Sequence, residues 1–341
     1  LRACRRRDQR DIRRSPCRIQ ILRHGANHRP GTQSFQINPM EEKKQPRVKI
    51  LVACHKADPN IRQDDIYMPI QVGKALHPEL DLGFQCDNTG DNISEKNGSY
   101  CELTALYWAW KNLKDVDYSG AAPRASPSNP RRYFAKNKKG VNLLRKKLLD
   151  TNDLIDIPTI TRLKSNEVIL PTFWTMPQPI NKVFANRVLE EDLYILYKII
   201  KKEHPEYLDT YTNYMLGYKR TGYNMFLMSK ANFDNYCSWM FGILKTAQNL
   251  VKDTQYCSYN RIYGYFGEIL TAVFCIKNFR TKENTIMLVD KNITPIRLLR
   301  LKLCGINLLN SISYYSGRYW LKKSLEDPYW ETYLVQDGID V

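Results

Sequence analysis

The sequence predicts a large α/β domain, and three observations carry that prediction. Val48–Cys54 (VKILVAC) is a short apolar run rich in β-branched residues, the form of a parallel strand buried on both faces. Asp87–Trp110 joins a polar, turn-rich loop to a helix whose Leu103, Leu106, Tyr107 and Trp110 recur at i, i+3, i+4 and i+7. After it, further short apolar runs alternate with helical patterns, as a sheet covered by helices requires. A length of 341 residues suits one large domain of this class or two smaller ones, and 43% hydrophobic residues with 22 tyrosines argue for a packed core over disorder.

The net charge of +17 is unevenly spread. Residues 1–40 hold ten arginines, no lysine, and only Asp8 and Asp11 against them, so net +8 lies there and net +9 on the rest. That balance favours an anionic ligand or an anionic membrane surface, and is too diffuse to argue for nucleic acid. Composition changes abruptly at Met40, where a lysine-rich segment runs straight into the first strand. The expectation is that the native chain starts at Met40 and that residues 1–39 are a non-native or disordered extension; the alternative is a basic arm for nucleic acid or acidic lipid. Nine cysteines without a CxxC pair point to reduced thiols, hence a cytosolic protein, and no apolar run reaches the 18 residues of a spanning helix.

In chain order, His55 and Lys56 follow the first strand immediately. Ligands of open α/β sheets bind at the carboxyl ends of strands, so this pair offers a donor and a cation to a phosphate-bearing ligand; the alternative is a solvent-exposed turn. Tyr67–Leu76 reads as a turn and short helix. Ser99 and Glu102 have capping-box spacing at the head of the aromatic helix. Val116–Gly120 reads as a strand, and Ala121–Pro130 (AAPRASPSNP) can continue neither a helix nor a central strand. Glu167–Leu170 reads as a strand closed by Pro171, Glu190–Glu203 as an amphipathic helix with another after Glu206, Gly222–Met228 as a strand, and Ala231–Leu250 as a helix. Arg261–Ile276 carries Glu268 in an apolar surround, where a carboxylate must be paired, have a raised pKa, or do chemistry. Ile296–Leu309 is basic and amphipathic, suited to core packing or to a membrane surface.

Eight segments, among them YMPIQVG (67–73), DNTGDNISEKN (87–97), YCELTALYWAWKN (100–112), RRYF (131–134), YNMFLM (223–228) and RIYGYFGEIL (261–270), occur in an order that resembles the bacterial family catalogued as domain of unknown function 4422. These are glycosyltransferase-like proteins of capsule, exopolysaccharide and lipopolysaccharide gene clusters. The resemblance implies a Rossmann-like glycosyltransferase type A fold over residues 40–280, followed by a C-terminal helical extension over 281–341. It implies transfer from a nucleotide-sugar donor to a lipid-linked or polysaccharide acceptor, in the cytoplasm or peripheral to the inner face of the plasma membrane. Arg131 and Arg132 match the family's arginines and are assigned to the donor diphosphate, whose charge grows as the glycosidic bond breaks; the alternative is two exposed loop arginines. Glu268 is assigned as the base for the acceptor hydroxyl, or else as the structural partner of Arg261 or another buried cation. Asp87, Asp91, Asn92, Lys96 and Asn97, with His55 and Lys56, are assigned to the donor. A divalent metal (Mn or Mg) stays open as cofactor, since Asp87 and Asp91 are four apart and no DxD triplet occurs.

The chain departs from the family in two places. The histidine and tyrosine that precede the family's arginines are missing from a longer Ala121–Pro130, and Ile269 stands where arginine is common. An inactive, sugar-nucleotide-binding relative is therefore the alternative function.

Overall fold

The computed structural model describes residues 46–121, 131–136, 142–145, 153–185, 187–251, 261–289 and 296. These belong to one compact unit, Gln45–Val341. The expected extension over residues 1–39, the segment 122–130 and all of Ile296–Leu309 but its first residue lie outside the described residues.

The elements are β1 (Val48–Cys54), β2 (Tyr67–Gln71), β3 (Gln85–Cys86), α1 (Asn97–Tyr100), α2 (Leu103–Asn112), β4 (Tyr118–Ala121), β5 (Arg131–Phe134), β6 (Asn142–Arg145) and α3 (Ile157–Ile160). They continue as β7 (Glu167–Pro171), β8 (Trp174–Thr175), α4 (Ile180–Ala185), α5 (Glu190–Glu203), α6 (Leu208–Leu216), β9 (Lys219–Arg220), β10 (Phe226–Ser229), α7 (Lys230–Leu250), α8 (Ile262–Asn278), β11 (Arg280–Asn284) and β12 (Ile286–Val289). Seven strands form the central sheet in the order β11-β7-β10-β4-β1-β2-β3. Only β10 runs against its neighbours β4 and β7; the other pairings are parallel.

β1 shows why this sheet is central. Leu51 and Ala53 join the core on one face, and Val48, Ile50, Val52 and Cys54 join the core on the other. An apolar run without polar alternation is what burial on both faces demands. The first face is covered by helices α2 and α4–α8. α7 presents Phe233, Tyr236, Met240, Ile243, Leu244 and Ala247 as one buried stripe. α8 is buried almost all round from Ile262 to Cys275, as befits a helix at the centre of that layer. The second face carries a small sheet, β5-β12-β6, in which β12 is antiparallel to β5.

Three expectations are corrected. Tyr67–Gln71 is a strand, not a turn and helix. Val72 N donates to Cys54 O, so by alternation the missing donor of Pro69 faces the outer side, where the two-residue β3 pairs with Ile70 and Gln71 and stops short of Pro69. The capping box does not form. Cys101 takes a left-handed φ of 53° and breaks the helix, Ser99 Oγ donates to Lys96 O, and Glu102 turns inward. Residues 281–289, expected in a helical extension, are strands: β11 extends the central sheet and leads straight into β12.

Asp192, in the first turn of α5, is 3% exposed, and its Oδ2 has no hydrogen-bond partner. Burial, with Glu191 beside it, pushes its carboxyl up to about 6. The folded chain thus holds this proton more tightly than the unfolded chain, so the stability is fully present below about pH 4 and falls as pH rises through 6. Asp192→Asn is expected to gain roughly 1–3 kcal/mol at pH 7.5 and almost nothing at pH 4. Thermal melts at both pH values check this, and an equal gain at both would contradict it.

Candidate functional site

Parallel strands β1, β4 and β7 end on one edge of the sheet, and the turn that enters antiparallel β10 lies at the same edge. Such an edge gathers loops and unpaired strand ends, which is why α/β sheets bind ligands there. His55 and Lys56 stand at this edge, the first half-buried and the second exposed. Arg131 and Arg132 reach it from β5 and are not exposed loop residues: they are 1% and 5% exposed. Sequence spacing missed this because β5 is enclosed only by pairing with β12, more than 150 residues away. Arg131 Nη1 donates to Ala53 O at 2.9 Å and Nε to Asp58 Oδ2 at 3.1 Å, which ties the strand to the end of β1. Beside it the buried Cys54 thiol is pushed up by burial, against the pull of Arg131. Burial also pushes Cys101 up to about 12, so neither thiol is an activated nucleophile.

Arg132 is held differently. Its guanidinium carbon lies 3.8 Å over the Tyr223 ring, and its buried Nε and Nη1 meet no hydrogen-bond acceptor among the described residues. A buried cation with unused donors is costly unless an anion meets it, and Nε and Nη1, on opposite flanks of the planar guanidinium, can each donate to an anion's oxygen. Trp174 lies 5.4 Å from Tyr223. It is carried on the ribbon β8-β9, where it faces Arg220. Two half-buried aromatic rings and an arginine therefore share one corner.

Glu268 lies beneath this corner. Its Oε2 accepts from Arg220 Nη2 at 2.6 Å, and the two side chains are 7% and 5% exposed. A Cβ added at Gly222 would lie 3.4 Å from Glu268 Oε2, so the segment leading to Tyr223 runs over the ion pair. In this geometry Glu268 is the counter-ion of Arg220. The partner named from sequence, Arg261, instead starts α8 in a left-handed conformation and donates its backbone N–H to Gly98 O.

The loop over residues 87–97 is a rigid wall whose polar groups are largely spent on holding it. Asp87, fully buried, accepts from Gly73 N, Lys74 N, Ser94 Oγ and Thr104 Oγ1 at 2.5–3.2 Å. It is an anchor inside the loop and faces no ligand. Asn97 Nδ2 donates to Cys101 O and Thr104 Oγ1, Asn92 Oδ1 accepts from Ser94 N, Asp91 accepts from Tyr107 Oη, and Lys96 Nζ reaches Gln248 Oε1 on α7. Asp91 is exposed, and Asn92, Lys96 and Asn97 are half-buried. Gly73, at φ 70°, closes the wall: a Cβ there would come within 2.7 Å of Asn97 Oδ1. Gly73→Ala is expected to lower stability by roughly 1–3 kcal/mol in denaturant titration; an unchanged midpoint would show that Asn97 can move aside.

Among the described residues no three His, Cys, Asp or Glu side chains are grouped to hold a metal ion. Asp87 is enclosed and Asp91 is bonded to Tyr107, so the pair of aspartates does not fit a divalent cation. Among the described residues, too, no helix is long and apolar enough to cross a membrane.

A family model described as Domain of unknown function (DUF4422) matches residues 49–279. The chain belongs to that family. No curated protein matches it. A solved structure described as the apo form of WbbM, a bifunctional glycosyltransferase, is similar to this DUF4422 chain at 27% identity with a TM-score of 0.61. The match covers 71% of this chain and 45% of that one, so the chain spans less than half of the WbbM chain's length. The mostly parallel sheet with helices packed on it is thus a fold shared with a glycosyltransferase. Strands β11 and β12 lie beyond residue 279, where the family model ends, yet β12 holds the arginine strand β5.

Sequence reading missed Asp58, Trp174, Arg220, Tyr223 and Asn224. The demand of a buried Glu268 for a cation was readable, but nothing local distinguished Arg220 from Arg261, the arginine named from sequence. Tyr223 and Asn224 were read as the start of a strand, because positive φ at non-glycine residues leaves no periodic signal.

Proposed function

We propose that this DUF4422 chain is a glycosyltransferase that binds the diphosphate of a nucleotide-sugar donor at the carboxyl edge of its sheet, with Arg132 as the principal contact. The observation that carries this reading is the buried Arg132 guanidinium, seated on Tyr223 with Nε and Nη1 unpartnered among the described residues. As the sugar leaves, negative charge grows on the diphosphate, and a preorganised guanidinium stabilises it with little rearrangement. Arg131 gives Nε to Asp58 and Nη1 to Ala53 O, which fixes the strand that carries Arg132, and keeps a buried Nη2 without a partner among the described residues. Arginine supplies the charge in place of a carboxylate-bound metal. The wall over residues 87–97 bounds the donor, with Asp91 and Asn92 facing its hydroxyls. The acceptor is a surface polysaccharide or a lipid-linked oligosaccharide, met at the cytoplasmic face of the membrane, and the net charge of +17 favours its anionic lipid.

The experiment is a screen of nucleotide sugars for hydrolysis or transfer by the purified chain. Release of nucleoside diphosphate from one of them supports the reading. The absence of the family's histidine and tyrosine from Ala121–Pro130 favours a second reading, a non-catalytic relative; binding of a nucleotide sugar without turnover would establish it. Absence of both binding and turnover across the panel would overturn both.

A further inference from the structure

We propose that Asn224 is a positioning residue that seats the Arg132 guanidinium by way of Tyr223; the functional part of this proposal rests on the reading of Arg132 as a phosphate contact. Tyr223 and Asn224 are consecutive non-glycine residues with left-handed φ angles of 72° and 51°. Asparagine adopts that conformation readily, but tyrosine seldom does, and such strain persists only where the surroundings impose it. The side-chain hydrogen bonds that hold this pair are made by Asn224, which is 1% exposed. Its Nδ2 donates to Glu102 Oε1 at 2.8 Å and to Gly264 O at 3.2 Å, and its Oδ1 lies 3.2 Å from Thr271 Oγ1. Thr271 in turn lies 2.6 Å from Tyr236 Oη on α7. The residue before α2, together with α7 and α8, therefore clamps one amide side chain.

The clamp has a consequence one residue away. With Asn224 fixed, the inverted backbone at Tyr223 holds its ring at the sheet edge, against Trp174 on one ribbon and under Arg132 on another strand. Arg132 has no other hydrogen bond or ion pair among the described residues, so the ring is what fixes its plane. Burial pushes the Glu102 carboxyl up, but the bond from Asn224 needs only an acceptor oxygen, which both protonation states provide. Asn224 thus reaches the phosphate contact without touching a ligand.

The test uses Asn224→Gly, Glu102→Ala and Glu102→Gln in the full chain. Glycine accepts left-handed φ, so Asn224→Gly can fold while losing the clamp. In its crystal structure Arg132 is expected to leave its seat over Tyr223, and titration with inorganic pyrophosphate is expected to show about tenfold weaker binding than in the unaltered chain. Glu102→Ala should weaken binding to a similar degree. Glu102→Gln keeps an acceptor oxygen for Asn224 and should restore most of that loss, a rescue that a merely bulk-packing role would not produce. Arg132 still stacked on Tyr223 in Asn224→Gly, or pyrophosphate affinity equal to that of the unaltered chain, would overturn the proposal. Failure of the unaltered chain to bind pyrophosphate would instead defeat the reading of Arg132, while the crystal position of Arg132 in Asn224→Gly would still decide the positioning claim.

Discussion

Arg132→Ala is expected to lower kcat/KM for sugar transfer by about 10²–10³, the usual loss when one preorganised donor to a developing anion is removed. The fold should survive, because the guanidinium makes no hydrogen bond or ion pair with a described residue and rests on the Tyr223 ring, a cation–π pair contributing roughly 0.5–2 kcal/mol. Arg132→Lys should recover only part of the activity. Lysine keeps the charge but cannot offer the guanidinium's planar set of donors or lie flat on the ring. Steady-state kinetics on all three forms check this, and transfer by Arg132→Ala at the unaltered rate would remove Arg132 from the reaction.

Glu268→Ala is expected to cost about 3–5 kcal/mol of stability, on the order of 10 °C in melting temperature, because it leaves the Arg220 cation buried without its counter-ion. Arg220 is 4% exposed and packs over Phe184 at 4.9 Å and Trp174 at 5.9 Å, so water cannot readily replace the lost carboxylate. The same surroundings are apolar enough to accept Arg220→Met with Glu268→Leu, and that double variant should recover most of the loss. An unchanged melting temperature for Glu268→Ala, with transfer abolished, would return Glu268 to the role of acceptor base.

What the sequence revealed and what it concealed divide by range. Val48–Cys54 and Glu190–Glu203 were legible to the residue, since strand and helix periods are local properties of the chain. The start of α2 was not: a single left-handed residue, Cys101, ends α1, and Glu102 leaves the expected cap to reach Asn224, 122 positions away. RRYF carried the residue types that the proposed anion site needs but not their burial, which β12 helps to provide. Asp87 resembled a ligand-facing carboxylate because its four donors come from Gly73, Lys74, Ser94 and Thr104, a convergence that only the folded loop creates. Residue chemistry was therefore readable where side chains act alone and hidden where they act in pairs, as with Glu268 and Arg220.

The most direct measurement is a crystal structure with the tightest-binding nucleoside diphosphate from a panel of UDP, GDP, ADP and dTDP. The expected result places a phosphate oxygen about 2.7–3.2 Å from Arg132 Nε or Nη1, at the carboxyl ends of β1 and β4. A diphosphate bound away from this edge, with Arg132 still stacked on Tyr223 and touching no phosphate oxygen, would contradict it.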